Sequence, residues 1–372
     1  MTHQFIHACA GSGKTKHVID HCIQGASDVR RLIITLTTSG QDELERRFQK
    51  AVNCSSSIPE VSGWYAFLLD HIVRPYLPLK FPNQRLNGFI FDSGDAKSSV
   101  RFKPKTDARR YFNEIGMAYK DNLEDLAVSL MDEADGLVEN RLGLIYDEII
   151  IDEAQDISRA GLEVVARLLH QDSIRCLLVG DSRQSLLDSS LASKKNKYAD
   201  RQSLLKWYQQ FKDEGCLTIT EKVETYRFNK AIASFSDSIF PPSDGFSSTV
   251  SLMNERTYHD GVFLVAKEDL MQYATTFEPV ILRHSKNSWK SQVKLNPINF
   301  GVSKGRTYER VMILPTKPIQ DFCLLGKYLK DKSACGFYVA VTRAKYSVAI
   351  VIDRTRKELQ QSAISNIPVW SP

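Results

Sequence analysis

Hydrophobic residues fall in short, unbroken blocks along this chain. Phe5-Ile6-His7-Ala8, Arg31-Leu32-Ile33-Ile34-Thr35-Leu36, Glu148-Ile149-Ile150-Ile151 and Cys176-Leu177-Leu178-Val179 do not alternate with polar residues, which is how strands covered on both faces read. Between these blocks the spacing changes: residues 14–22 and 41–52 carry helical patterning, which returns over residues 111–139. The second half repeats this grammar, with strands predicted at 262–265, 279–282, 311–314 and 347–352 and helices at 229–239 and 337–345 among others. Alternating strands and helices imply parallel α/β sheets, and 372 residues suffice for two of them. Two stretches break the pattern. Residues 75–115, rich in Pro, Asn, Gly and basic side chains, predict an insertion leaving the first core, and 189–200 predicts an exposed polar loop.

Composition narrows the class. With 42% hydrophobic and 25% charged residues the chain reads as ordered and globular, and no apolar run approaches the roughly 18 residues of a membrane span. No basic segment leads into a long apolar one near Met1, so the cytoplasm is the expected compartment. Seven cysteines without a C-x-x-C pair exclude a disulfide framework and a thiolate zinc site and read as reduced core residues. His17 and His21, four apart without a third ligand in view, read as surface or packing histidines. The net charge of +5 permits nucleic-acid binding without requiring it. Basic clusters occur at Arg30-Arg31, Arg46-Arg47, residues 101–110, Lys194-Lys195-Asn196-Lys197 and residues 354–357. Each alone reads as a solvated face.

The chemistry begins after the first block. His7-Ala8-Cys9-Ala10-Gly11-Ser12-Gly13-Lys14-Thr15 joins a predicted strand to a predicted helix, the context a phosphate-binding loop requires. Successive backbone N–H groups and a helix N-terminus converge on phosphate, a lysine neutralises charge and a hydroxyl ligates Mg²⁺; Ala10, Gly11, Ser12, Gly13, Lys14 and Thr15 supply these. Ala8 takes the place of the loop's usual first glycine, where a small residue suffices. ATP hydrolysis further needs a carboxylate at a strand end for Mg²⁺ and a neighbour to polarise water. Ile151-Asp152-Glu153-Ala154-Gln155-Asp156 offers Asp152, with Thr15, to the metal and Glu153 as general base.

Six strings in order then carry a resemblance. Ala10-Gly11-Ser12-Gly13-Lys14-Thr15, Asp152-Glu153-Ala154-Gln155-Asp156, Gly180-Asp181-Ser182-Arg183-Gln184-Ser185, Tyr226-Arg227, Ser303-Lys304-Gly305 and Val339-Ala340-Val341-Thr342-Arg343-Ala344-Lys345 resemble motifs I to VI of superfamily 1 helicases of the UvrD/Rep/PcrA type. An alanine-first loop is the habit of that family. The resemblance implies an α/β protein of two tandem RecA-like, parallel-sheet P-loop domains with ATP and Mg²⁺ in the cleft between them. The expected division is 1–70 with 145–200 for the first domain, 71–144 for a small insertion and 201–372 for the second. The resemblance further implies that Gln184 senses the γ-phosphate, Tyr226 stacks on adenine, Arg227 and Arg343 reach the γ-phosphate, and Gly305 belongs to the nucleotide site. Between Arg227 and Ser303 the chain is too short for the large 2B subdomain of bigger relatives.

The implied activity is ATP-driven translocation or unwinding on single-stranded nucleic acid, DNA ahead of RNA, 3′ to 5′. Departures on the nucleic-acid side motivate an alternative. Leu36 stands where the family has phenylalanine, and Ser185-Leu186-Leu187-Asp188 lacks the aromatics that stack on bases, each worth roughly 1–3 kcal/mol. Trp64 and Tyr65 either replace them or belong to the core. The alternative is a nucleic-acid-stimulated ATPase that signals to a partner such as a nuclease without productive unwinding.

Overall fold

Glu148–Asp152, built around the run Ile149-Ile150-Ile151, lies inside a six-stranded sheet with neighbours on both sides. The computed structural model describes residues 2–51, 58–91, 103–157, 159–186, 201–289, 294–361 and 366–372. These form two units. The first takes the described residues of Met1–His7, Lys14–Gly180 and Leu187–Glu221, and the second those of Ala8–Gly13, Asp181–Leu186 and Lys222–Pro372.

The first unit runs β1 (His3–Ala8), α1 (Lys14–Gln24), β2 (Arg31–Thr35), α2 (Thr38–Ala51), β3 (Glu60–Gly63) and α3 (Trp64–Phe67). A π-helical stretch, Leu68–Val73, then leads into α4 (Arg74–Lys80), β4 (Gly88–Ile90) and β5 (Met117–Tyr119). The remainder is α5 (Lys120–Ala134), α6 (Leu137–Ile145), β6 (Glu148–Asp152), α7 (Ala160–Leu169), β7 (Arg175–Gly180), α8 (Arg201–Asp213) and β8 (Leu217–Lys222). The sheet order is β3-β2-β6-β7-β1-β8, and the pairs from β3 through β1 are parallel. The chain therefore leaves β1, β6 and β7 at one edge of the sheet, the carboxyl edge where open α/β sheets place ligands. Every residue of β2 and β6 is buried, which explains the unbroken apolar runs.

β4 and β5 pair with each other, parallel, inside the stretch expected as an insertion. β8 closes the far edge of the first sheet, so residues 201–221 lie with the first unit, whereas the sequence reading starts the second domain at 201. Packing explains the difference. Leu204, Trp207, Tyr208, Phe211 and Leu217 join the first core, and Tyr208 stacks on Phe5 of β1 at 4.0 Å.

The second unit contains β9 (Glu224–Thr225), α9 (Lys230–Ser238), β10 (Val250–Ser251), β11 (Gly261–Ala266), α10 (Leu270–Phe277), β12 (Val280–Arg283) and β13 (Ile298–Asn299). It ends with β14 (Tyr308–Leu314), α11 (Lys317–Leu325), α12 (Asp331–Val341), β15 (Ala344–Ile352) and α13 (Arg356–Gln361). Five strands in the order β11-β15-β14-β12-β13 pair in parallel. Successive side chains alternate between two apolar layers: Val311, Ile313, Val348 and Ile350 enter one, Met312, Leu314, Ala349 and Val351 the other. Each unit thus carries a parallel α/β sheet, as the alternation of strands and helices predicts and in keeping with the fold class that the resemblance implies.

Two helices differ from expectation. Of the 111–139 stretch only α5 is a helix up to Asp135 and Gly136, whose φ of 44° and 85° break it before α6. The 337–345 helix ends at Val341, because Ala344 already pairs with Tyr308 as β15 begins. The 189–200 loop with Lys194, Lys195 and Lys197, and Arg101 of another basic cluster, lie outside the described residues. Among the described residues no helix is long and apolar enough to cross a membrane.

Candidate nucleotide site

In the first unit, Lys14 and Thr15 open α1 directly after the glycine loop, where the helix N-terminus carries partial positive charge. Asp152 ends β6, and its Oδ2 stands 3.5 Å from Thr15 Oγ1. The Glu153 amide donates to Asp152 Oδ1 at 3.0 Å, and the Gln155 side-chain amide donates to Glu153 Oε2. Burial pushes the Asp152 carboxyl up, the neighbouring Glu153 charge pushes it further, and Lys14 opposes both. The Asp152 carboxyl and the Thr15 hydroxyl, both hard oxygen donors, suit Mg²⁺. Glu153 itself has φ 57°, a left-handed conformation that costs a non-glycine residue about 1 kcal/mol or more and concentrates at functional positions.

The loop before α1 belongs with the second unit. Gly11 and Gly13 have φ of 77° and 79°, so the turn depends on glycine at both. A Cβ on Gly11 would meet Thr225 Oγ1 at 2.5 Å and Arg227 Cβ at 2.6 Å. The Gly11 carbonyl accepts from the Tyr226 amide at 3.0 Å, and the Tyr226 side chain remains 62% exposed. Ser12 Oγ is buried without a hydrogen-bond partner among the described residues, an orphaned donor of the kind that phosphate oxygens satisfy.

The same unit brings Gln184, Arg227 and Arg343 together. Arg343 is 1% exposed; its Nε donates to Val339 O at 3.0 Å, Nη1 to Arg306 O at 3.3 Å, and Nη2 to Gln184 Oε1 at 3.3 Å. Arg227 Nη1 donates to Thr342 O at 3.1 Å. Gly305, φ 82°, precedes the Arg306 carbonyl that Arg343 holds, and a Cβ there would meet nothing within 4 Å.

Trp64 is fully buried, its Nε1 donating to the equally buried Glu124 at 2.7 Å. It is a core residue, so it offers no face to a base. Half-buried Tyr65 instead meets Phe89 and Phe91 at 5.5 and 6.0 Å. His21 is a packing residue too, bonded to Glu148 at 2.9 Å. Sequence reasoning gave no role to Asp181, which lies within the third motif string, or to Tyr338; both are fully buried and hydrogen-bonded to each other at 3.1 Å. The signals for Asp181 were its place after the apolar β7 block and beside Gln184 in the third motif string.

A family model described as an AAA domain matches residues 2–189, half of the chain. Among solved structures, the arterivirus nonstructural protein 10 helicase is similar at 15% identity over 98% of this chain and 62% of its own, with a TM-score of 0.47. The same helicase in complex with DNA is 16% identical over 94% and 61%, with a TM-score of 0.46. The chain thus spans less than two thirds of the length of those helicases. No curated protein matches its sequence. Matched over half its length, with the phosphate loop and strand-end acids in place, the chain belongs to the AAA-domain family of P-loop NTPases found in superfamily 1 helicases.

Proposed function

We propose that the chain is an ATP-dependent translocase or helicase acting on single-stranded nucleic acid, DNA ahead of RNA, with 3′ to 5′ polarity. The observation that carries this reading is the meeting of Gln184 Oε1 with Arg343 Nη2 at 3.3 Å, a pairing that a P-loop kinase does not explain. In this reading ATP is the substrate, hydrolysed in a cleft between two RecA-like domains, the first carrying residues 71–144 as a small insertion. Ala10, Gly11, Ser12, Gly13, Lys14 and Thr15 hold its phosphates, Tyr226 stacks on adenine, and Gly305 completes the nucleotide contacts.

Thr15 and Asp152 hold Mg²⁺, which when bound neutralises phosphate charge. Glu153 takes the proton of the attacking water as its oxygen bonds to the γ-phosphorus and the bond to the ADP oxygen breaks, leaving ADP and inorganic phosphate. Gln184 senses the γ-phosphate while Arg227 and Arg343 stabilise the charge developing on it; an arginine so placed is worth about 10³–10⁵ in rate.

The test is ATPase activity with and without single-stranded DNA or RNA across a salt series, beside displacement of a strand from 3′-tailed and 5′-tailed duplexes. Stimulation that falls steeply with salt, and displacement only from the 3′ tail, are expected. ATPase indifferent to single strands would sink the reading. One observation favours a second version. With Trp64 buried and Leu36, Ser185 and Leu186 lacking rings, these positions offer no ring face to a base, which suits a switch that reports nucleic-acid occupancy to a partner such as a nuclease. A switch hydrolyses ATP yet displaces nothing.

A further inference from the structure

The orientation of the Gln184 side chain is fixed by two groups outside the phosphate-binding motifs' assigned roles, Asp181 and Tyr338. Asp181 directly follows β7 and is fully buried. Its Oδ1 accepts from the Arg183 amide and Nε at 3.1 and 3.2 Å, and its Oδ2 accepts from Gln184 Nε2 at 2.9 Å and the Tyr338 hydroxyl at 3.1 Å. With the Gln184 NH₂ directed at this carboxylate, the amide oxygen is the end left to face Arg343, 3.3 Å away. Flipping the amide would set its oxygen against a carboxylate and its NH₂ against a guanidinium, unfavourable at both ends.

The Tyr338 hydroxyl acts in two directions. It donates to Asp181 and accepts from the Ala10 amide at 3.3 Å, joining the entry of the phosphate loop to the carboxylate that orients Gln184. Its ring is held as well, with the Arg183 guanidinium 4.9 Å from the ring centre and Arg183 Nη1 bonded to Asp237 at 3.1 Å. Tyr338 sits on α12, five residues before Arg343 and near the helix's end at Val341, so one short segment supplies both the arginine and the hydroxyl that orients the arginine's partner.

We propose that Tyr338 and Asp181 are positioning residues for the Gln184–Arg343 pair. This rests on the reading of Gln184 and Arg343 as the groups that meet the γ-phosphate. Tyr338→Phe removes one hydroxyl and no charge, so it isolates the joint. In the nucleotide-free protein, hydrogen exchange is expected to speed up at the Ala10 amide and across residues 181–186 in the variant. In turnover, kcat should fall by roughly tenfold with KM for ATP changed less than about twofold, and Tyr338→Phe should cost nothing further in a Gln184→Ala background. Asp181→Asn, which turns an NH₂ toward that of Gln184, should repeat the exchange change even if it lowers stability.

An equal fractional loss of kcat in both backgrounds would mean that Tyr338 does not act through Gln184, and unchanged exchange in both variants would mean that it anchors nothing. Either overturns the proposal. If the wild-type protein shows no ATP turnover, the ATPase reading fails instead. Exchange then decides the positioning role by itself: faster exchange in the variants supports it, and unchanged exchange overturns it.

Discussion

Thr15 Oγ1 and Asp152 Oδ2 stand 3.5 Å apart, joining the first turn of α1 to the last residue of β6. Asp152 is buried beside Glu153, and both burial and that neighbour disfavour its charged form, so a bound cation relieves a strain the protein alone leaves in place. Chelation of Mg²⁺ is expected to abolish ATP turnover. Asp152→Asn should raise the Mg²⁺ concentration for half-maximal activity by roughly tenfold or more, while urea unfolding of the nucleotide-free variant shows no loss of stability. A variant clearly less stable than wild type would mark Asp152 as a structural carboxylate.

Glu153 holds a left-handed backbone, φ 57°, with its carboxylate accepting from Gln155. Glu153→Gln keeps the shape and removes the base. Turnover is expected to fall by about 10²–10⁴ with the affinity for a fluorescent ATP analogue unchanged. Affinity that drops with turnover would show Glu153 binding nucleotide rather than activating water.

The two parallel sheets were legible because both faces of their central strands are buried, which leaves unbroken blocks such as Ile149-Ile150-Ile151 and Val348-Ala349-Ile350-Val351. β8 was not. Its burial alternates weakly, with only Leu217 buried among Leu217–Lys222, and its membership of the first sheet is decided by long-range packing of α8 on Phe5. The acids after β6 announced themselves by position, whereas the hydrogen bond from Tyr338 to Asp181 spans 157 residues, a distance over which no local pattern speaks. Trp64 illustrates a third limit. An indole next to a glycine reads alike as a surface platform or a core anchor, and only the buried Glu124 partner decides.

Two glycines with similar φ separate strain from crowding. Gly11 and Gly305 have φ of 77° and 82°, but a Cβ collides with Thr225 and Arg227 only at Gly11. Gly305→Ala is expected to lower stability by about 1–2 kcal/mol, the left-handed penalty alone. Gly11→Ala should lower it further and abolish binding of a fluorescent ATP analogue. Equal losses in urea unfolding of the two variants would show that the loop gives way around Gly11.

Glu148, 1% exposed, sits at the start of β6 between two guanidinium groups and an imidazole: Arg31 at 2.9 Å, Arg175 at 2.8 Å and His21 at 2.9 Å. Burial alone would raise its carboxyl. Hydrogen bonds and charge from His21 and Arg175 override that and bring it down from 4.5 to about 2. A carboxyl lowered by folding binds its proton less tightly in the folded chain, so its contribution is complete above the unfolded value of 4.5 and is lost as pH falls through about 2. The shift corresponds to about 3 kcal/mol. Glu148→Gln removes the counter-charge of the Arg31 guanidinium, whose side chain is 6% exposed and keeps the Ala26 carbonyl at 3.0 Å, and should destabilise the protein by about 3–5 kcal/mol near neutral pH. Urea unfolding of wild type and variant across pH should show this difference shrinking between 4.5 and 2, since protonated Glu148 and glutamine then present similar groups to Arg31. A difference that stays constant as pH falls would mean that the loss comes from packing rather than from the charge.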